Sequence, residues 1–182
     1  MTLTIFCGSR MGREKIFENE AQKLGELIAK NGYTLVYGGG NVGLMGTMSK
    51  AAYENGANVI GVIPTLLEKR EGLSNRVSRL IVVDDMHERK AKMANEADVF
   101  IAFSGGIGTM EEIFEVWTWV QLGYYKKPII FLNINGYYDK LFSFLDHMVE
   151  SGFLDKKERE LINVFDDVEM MFDYLESLKL SY

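Results

Sequence analysis

Short β-rich apolar runs alternate with amphipathic segments along the whole 182-residue chain. Parallel strands need long crossovers, usually helical, so this rhythm builds a parallel sheet with helices on both faces. Strands are expected near Leu3–Cys7, Thr34–Tyr37, Asn58–Ile63, Arg79–Val83, Val99–Phe103, Pro128–Leu132 and Ile162–Phe165. Helices are expected near Glu14–Asn31, Gly43–Asn55, Met86–Glu96, Thr109–Leu122, Tyr137–Ser151 and Asp167–Lys179. The pairs Asn31-Gly32, Asn55-Gly56 and Ser151-Gly152 punctuate three of these helices at their C-terminal ends. Pro64–Ser78 has no clear periodicity and reads as a loop or flap. The expected fold is therefore α/β: a Rossmann-like, doubly wound sheet, mostly parallel, of about seven strands, in a single domain over residues 1–182.

The composition excludes several classes of function. A net charge of −6, with no long basic run, argues against nucleic acid as a partner. No apolar run approaches the ~20 residues of a membrane span, and the start Met1–Phe6 lacks the basic and apolar regions of a secretion signal. One cysteine, Cys7, allows no disulfide framework, and a reducing, cytoplasmic location is expected. The two histidines, His87 and His147, fall on different expected helices without a Cys/Asp cluster, so no metal site is expected.

Chemistry concentrates at two glycine-rich junctions. Ser104-Gly105-Gly106-Ile107-Gly108-Thr109-Met110-Glu111-Glu112 follows the strand run Val99–Phe103 directly and leads into a helix. Glycines let bare backbone N–H groups approach an oxyanion, and a helix start adds unpaired donors and partial positive charge, so a phosphate is expected here. Glu112 falls a helical turn beyond that anion. The same letters also spell a capping box, with Thr109 as the cap and Glu112 reaching back to it. A second cluster, Gly38-Gly39-Gly40-Asn41-Val42-Gly43-Leu44-Met45-Gly46, at the end of another strand, favours a ligand site. It contains G-x-G-x-x-G, but the acidic residue expected ~20 positions later for a dinucleotide ribose is missing, which disfavours NAD. With Gly8-Ser9-Arg10, three such segments lie at strand C-termini, where open sheets of this type bind ligands.

Asp85 fits a helix N-cap with Glu88 in the first turn, yet Arg89 and Lys90 follow at once. Cations there oppose the helix dipole, and an anion in front of the helix would account for them.

Together, Cys7-Gly8-Ser9, Gly38-Gly39-Gly40 with Gly43-Leu44-Met45-Gly46, Asp85-Met86-His87-Glu88-Arg89-Lys90 and Gly105-Gly106-x-Gly108-Thr109-x-x-Glu112 resemble the LONELY GUY (LOG) family of cytokinin riboside 5′-monophosphate phosphoribohydrolases over nearly the whole chain. The resemblance implies hydrolysis of the N-glycosidic bond of an N6-substituted AMP, without a cofactor. It places catalysis on Arg89 and Glu112, and ligand binding on Lys90, Gly106, Ile107, Gly108, Thr109, Met110, Glu111, Thr118 and Glu71. Gly8, Ser9, Gly39, Gly40 and Gly105 complete the expected phosphate and substrate contacts. A homodimer or larger homo-oligomer is implied, with the apolar run Ile113-Phe114-Val116-Trp117-Trp119-Val120 suited to the interface. The chain departs from the family pattern at Ser104, usually proline, and at Arg10, commonly a second serine. A general AMP nucleosidase and a nucleotide carrier without turnover are the alternatives. The older label for such sequences, lysine decarboxylase, requires a Schiff-base lysine, and the spacing of Lys90, Lys92 and Lys126 singles out none.

Overall fold

Along every central strand, successive side chains enter opposite apolar layers. Leu3 and Ile5 join one buried cluster while Phe6 joins the other, and Val99, Ile101 and Phe103 oppose Phe100 and Ala102 in the same way. Strands buried on both faces read as continuous apolar runs, which is why their sequences lack polar alternation. The computed structural model describes residues 1–67 and 76–179.

The strands are β1 (Thr2–Phe6), β2 (Thr34–Tyr37), β3 (Asn58–Pro64), β4 (Arg79–Val83), β5 (Val99–Ala102), β6 (Ile129–Leu132) and β7 (Ile162–Phe165). They form one sheet in the order β4-β3-β2-β1-β5-β6-β7, and every adjacent pair is parallel. The helices are α1 (Lys15–Lys30), α2 (Gly43–Glu54), α3 (Met86–Glu96), α4 (Ile107–Gln121), α5 (Asp139–Glu150), α6 (Lys156–Arg159) and α7 (Val168–Lys179). One face of the sheet carries α1, α2 and α7; the other carries α3, α4 and α5. The strand order reverses between β1 and β5, so the loops leaving those two strands splay apart and open a crevice at their C-terminal ends.

The punctuation works as the sequence implies: Asn31, Asn55 and Ser151 are helix C-caps, followed by Gly32, Gly56 and Gly152 at positive φ. Two elements go beyond the sequence reading. A 3₁₀ turn at Ile134–Gly136 precedes α5, and α6 follows Asp155 through a capping box with Glu158. Among the described residues, no helix is long and apolar enough to cross a membrane.

Candidate active site

The crevice between β1 and β5 holds a cavity of about 560 Å³, within the range of small-molecule sites. The β1 exit supplies Cys7, Gly8, Ser9 and Arg10, and the β5 exit supplies Ser104, Gly105 and Gly106. The first turns of α4 add Ile107, Gly108, Thr109 and Glu112, and α3 adds Arg89.

Helix α4 begins at Ile107, with Gly106 as its N-cap and no side-chain cap. This corrects the capping-box reading: Thr109 is the third residue of the helix, and Glu112 lies in its second turn. Starting the helix on glycines leaves the amides of its first turn without a competing side-chain acceptor. The first helical hydrogen bond runs from the Met110 amide to the Gly106 carbonyl, at 3.1 Å. Gly106 and Gly108 have open space where a Cβ would stand, so an anion has access to that turn. The two exit loops are locked together. The Gly8 amide donates to the Ser104 carbonyl at 3.0 Å, and a Cβ on Gly105 would stand 2.9 Å from that amide and 2.1 Å from Thr109 Oγ1. The Ser104 hydroxyl, on the cavity wall, is buried without a hydrogen-bond partner.

Arg89 and Glu112 form an ion pair at 3.1 Å, with side chains 9% and 10% exposed. Burying either charge alone would be costly, so each stabilises the other's presence beside the cavity. The Arg89 Nε also donates to the Val62 carbonyl at 3.1 Å. Room for the guanidinium comes from Gly38, where a Cβ would stand 2.0 Å from Nη2. The basic pair at the start of α3 is thus answered by carboxylates of α4. Lys90 donates to Glu111 at 2.5 Å and to Glu115 at 3.1 Å. Burial alone would lower the Lys90 pKa, but these hydrogen bonds outweigh it and hold it above the ordinary lysine value. Asp85 caps α3, its carboxylate accepting from the amides of His87 and Glu88. Burial pushes the Cys7 thiol far above the usual range, and the charge of Glu112 adds to the effect.

The positions singled out in the sequence separate into two groups. Gly8, Ser9, Arg89, Gly105, Gly106, Ile107, Gly108, Thr109 and Glu112 converge on the cavity. Gly39, Gly40, Lys90, Met110, Glu111 and Thr118 are not among its lining residues. Gly39 has φ +77° and packs its backbone on Ile63 and Val62, and the Thr118 hydroxyl donates to the Phe114 carbonyl. The second glycine cluster backs the site: Gly38 admits Arg89, and at Gly43 (φ +59°) a Cβ would overlap the Ser9–Arg10 backbone. Glu71 lies outside the described residues. The sequence reading missed Phe17 and Tyr137, which line the cavity from α1 and from the turn before α5. Their rings meet edge to face, and the Tyr137 hydroxyl donates to the Gly105 carbonyl. No local signal marks either residue, because both reach the site through tertiary packing.

No described lysine lines the cavity. That matters for the family model that matches residues 45–175, whose description is "possible lysine decarboxylase". The chain is 50% identical over 159 residues to a rice (Oryza sativa subsp. japonica) protein named probable cytokinin riboside 5′-monophosphate phosphoribohydrolase LOGL2, covering 87% of this chain and 65% of that protein. It is 46% identical to the Arabidopsis thaliana cytokinin riboside 5′-monophosphate phosphoribohydrolase LOG3, covering 88% of this chain and 74% of the relative. In fold it is similar to the molybdenum cofactor carrier protein of Chlamydomonas reinhardtii, with a TM-score of 0.73 at 25% identity over 98% of each chain. A molybdenum cofactor binding protein from Rippkaea orientalis gives a TM-score of 0.74 at 24% identity, covering 97% of this chain and 96% of that one. The solved structures share the architecture, whereas the rice and Arabidopsis proteins share nearly half the residues along most of it, and by that match this chain belongs to the LOG family.

Proposed function

We propose that this chain hydrolyses the N-glycosidic bond of a nucleoside 5′-monophosphate of the N6-substituted AMP class, releasing the base and ribose 5-phosphate. The named activity of the plant relatives supports this reading. The observation that carries it is the Arg89–Glu112 pair, held beside the open first turn of α4.

The 5′-phosphate sits against the amides of Gly106–Thr109, with the exit loop of β1 opposite. This fixes the ribose next to Glu112, which projects about one helical turn further along the same helix. When the bond from the anomeric carbon to the base breaks, its electron pair leaves with the base and positive charge grows on the ribose, as in glycoside hydrolysis. The carboxylate of Glu112 stabilises that charge and orients the attacking water; the proton the water sheds as the new carbon–oxygen bond forms balances the one the departing base takes up on its ring nitrogen. Arg89 holds the carboxylate in place and binds polar groups of the nucleotide. Because Glu112 sits in a low-dielectric site with its partner already in position, little reorganisation is needed at the moment of reaction. Lys90 is given a positioning role, tying α3 to α4 through Glu111 and Glu115.

The test is Glu112→Gln, which keeps the shape and a hydrogen-bonding oxygen but removes the charge. Turnover of N6-isopentenyl-AMP, followed as free base by chromatography, is expected to fall by about 10²–10⁴-fold while nucleotide binding persists. Unchanged turnover rejects the assignment. Plain AMP in a parallel reaction measures the preference for an N6 substituent.

The same reading covers organisation. The two apolar clusters flank one sheet, in keeping with one domain over residues 1–182. On α4, Ile113, Val116 and Trp117 are core and Phe114, Trp119 and Val120 are partly buried, while Leu122 and Tyr124, just past its end, are exposed. That apolar edge supports a homodimer or larger homo-oligomer, which light scattering on the purified protein would reveal. The free buried thiol of Cys7 is in keeping with work in the reducing cytoplasm.

A further inference from the structure

Among the described residues, the charged side chains on the cavity wall are Arg10, Arg89 and Glu112. Arg89 and Glu112 neutralise one another at 3.1 Å. Arg10 has no ion pair among the described residues, is exposed, and stands on the cavity rim with the Gly106–Gly108 turn. The described residues of the wall therefore carry one net positive charge, that of Arg10, in a protein whose overall charge is −6. A phosphate monoester brings about −1.5 to −2 charges at neutral pH. The amides of a helix start answer roughly half a charge, which leaves about one to one and a half charges for Arg10 to answer in a protein whose net charge repels anions.

The backbone under Arg10 is fixed rather than loose. The Gly8 amide is bonded to Ser104, the Gly8 carbonyl accepts from the Met45 amide at 3.3 Å, and the Ser9–Arg10 backbone lies where a Cβ on Gly43 would be. The side chain thus rises from an anchored turn across the crevice from α4. A second observation points to a ligand at this place: the Ser104 hydroxyl, 3% exposed as a residue, is buried on the same wall with no partner among the described residues. Buried hydroxyls rarely remain unpaired, and a turn of this one toward the cavity would let a ligand oxygen satisfy it.

We propose that Arg10 is a substrate-binding residue of this chain, a mobile counter-ion that closes on the 5′-phosphate once it rests on the α4 amides. The proposal rests on the phosphate placement given above. Arg10 supplies affinity and electrostatic steering without touching the bond that breaks, so its effect falls on KM and on phosphate affinity, not on kcat.

The test uses the full chain and its Arg10→Ala and Arg10→Lys variants. Ribose 5-phosphate binding is measured by calorimetry, and AMP and N6-isopentenyl-AMP hydrolysis by chromatography, at low and high salt. For Arg10→Ala, weaker ribose 5-phosphate binding and a higher KM are expected, each by about fivefold, the scale of one solvent-accessible charge pair. Its kcat should stay within about twofold, and its KM should depend less on salt. Arg10→Lys should restore most of the affinity, because the charge and not the guanidinium fork is needed. Arg10→Ala binding ribose 5-phosphate as tightly as the parent overturns the proposal, as does a fall in kcat alone or a parent chain that binds no ribose 5-phosphate. If the parent cleaves no nucleotide yet binds ribose 5-phosphate in an Arg10-dependent way, Arg10 stands and the hydrolase reading falls. If cleavage is normal and Arg10→Ala changes nothing, the hydrolase reading stands and Arg10 falls.

Discussion

Replacing Gly38 by alanine tests the site at a residue that does not line the cavity. Gly38 is not at positive φ, so the backbone accepts alanine without strain. The added Cβ would stand 2.0 Å from Arg89 Nη2 and 3.2 Å from its Cζ. Ordinary contact is about 3.5 Å, so the guanidinium has to retreat by about 1.5 Å. It is held at 3.1 Å by Glu112 and at 3.1 Å by the Val62 carbonyl, and a retreat of that size breaks at least one of these bonds. Losing one charge-assisted hydrogen bond costs about 1.5–3 kcal/mol, and leaving a buried charge without its partner about 3–5. Partial relaxation of a long side chain brings the expected destabilisation to about 2–4 kcal/mol, or roughly 5–15 °C in Tm for a chain of this length. Activity should suffer more, because displacing a catalytic group by about 1 Å costs on the order of 10²-fold. Calorimetry and kcat/KM on Gly38→Ala, Arg89→Ala and the double variant form a cycle. In the Arg89→Ala background the new methyl group meets only the flexible Met45 side chain, at 3.3 Å, so most of its cost should vanish. A Gly38→Ala protein with parental kcat/KM, or one equally destabilised with and without Arg89, would refute this reasoning.

Two further predictions concern titrating groups. The Cys7 thiol, held far above its ordinary pKa mainly by burial, stays protonated at neutral pH, so iodoacetamide at pH 8 should leave it unmodified in the native protein and label it once guanidinium unfolds the chain. Asp85 is held below the ordinary aspartate value of 3.8, chiefly by the Glu88 amide and also by that of His87. A depressed carboxyl pKa stabilises the fold above the unfolded value and loses that contribution as pH falls through the folded one. Asp85→Ala should therefore melt below the parent at pH 7, and the gap should close as pH drops beneath about 3.8.

Much of the fold is legible in the letters. The runs Thr34–Tyr37, Asn58–Ile63 and Val99–Phe103 match strands to within a residue, because a strand buried on both faces admits few residue types. Helix boundaries follow wherever a side chain or an Asn-Gly pair marks them, as at Asp85, Asn31 and Asn55. They slip where the chain uses bare backbone. Helix α4 begins at Ile107 with Gly106 as its cap, so the capping signal at Thr109 points three residues too late. Helix α6 has four residues, too short for any periodicity, although Asp155 and Glu158 spell its cap.

Local letters are enough for the layered parallel architecture and for a glycine junction at a helix start, since both depend on periods and caps within a few residues. Which residues share the cavity is settled by packing between distant segments. Gly38 makes room for Arg89, which lies far along the chain, and Tyr137 reaches back to the Gly105 carbonyl. Contacts of that kind join segments whose separation in sequence carries no pattern; strand order and side-chain volume fix them, and neither is written in local letters.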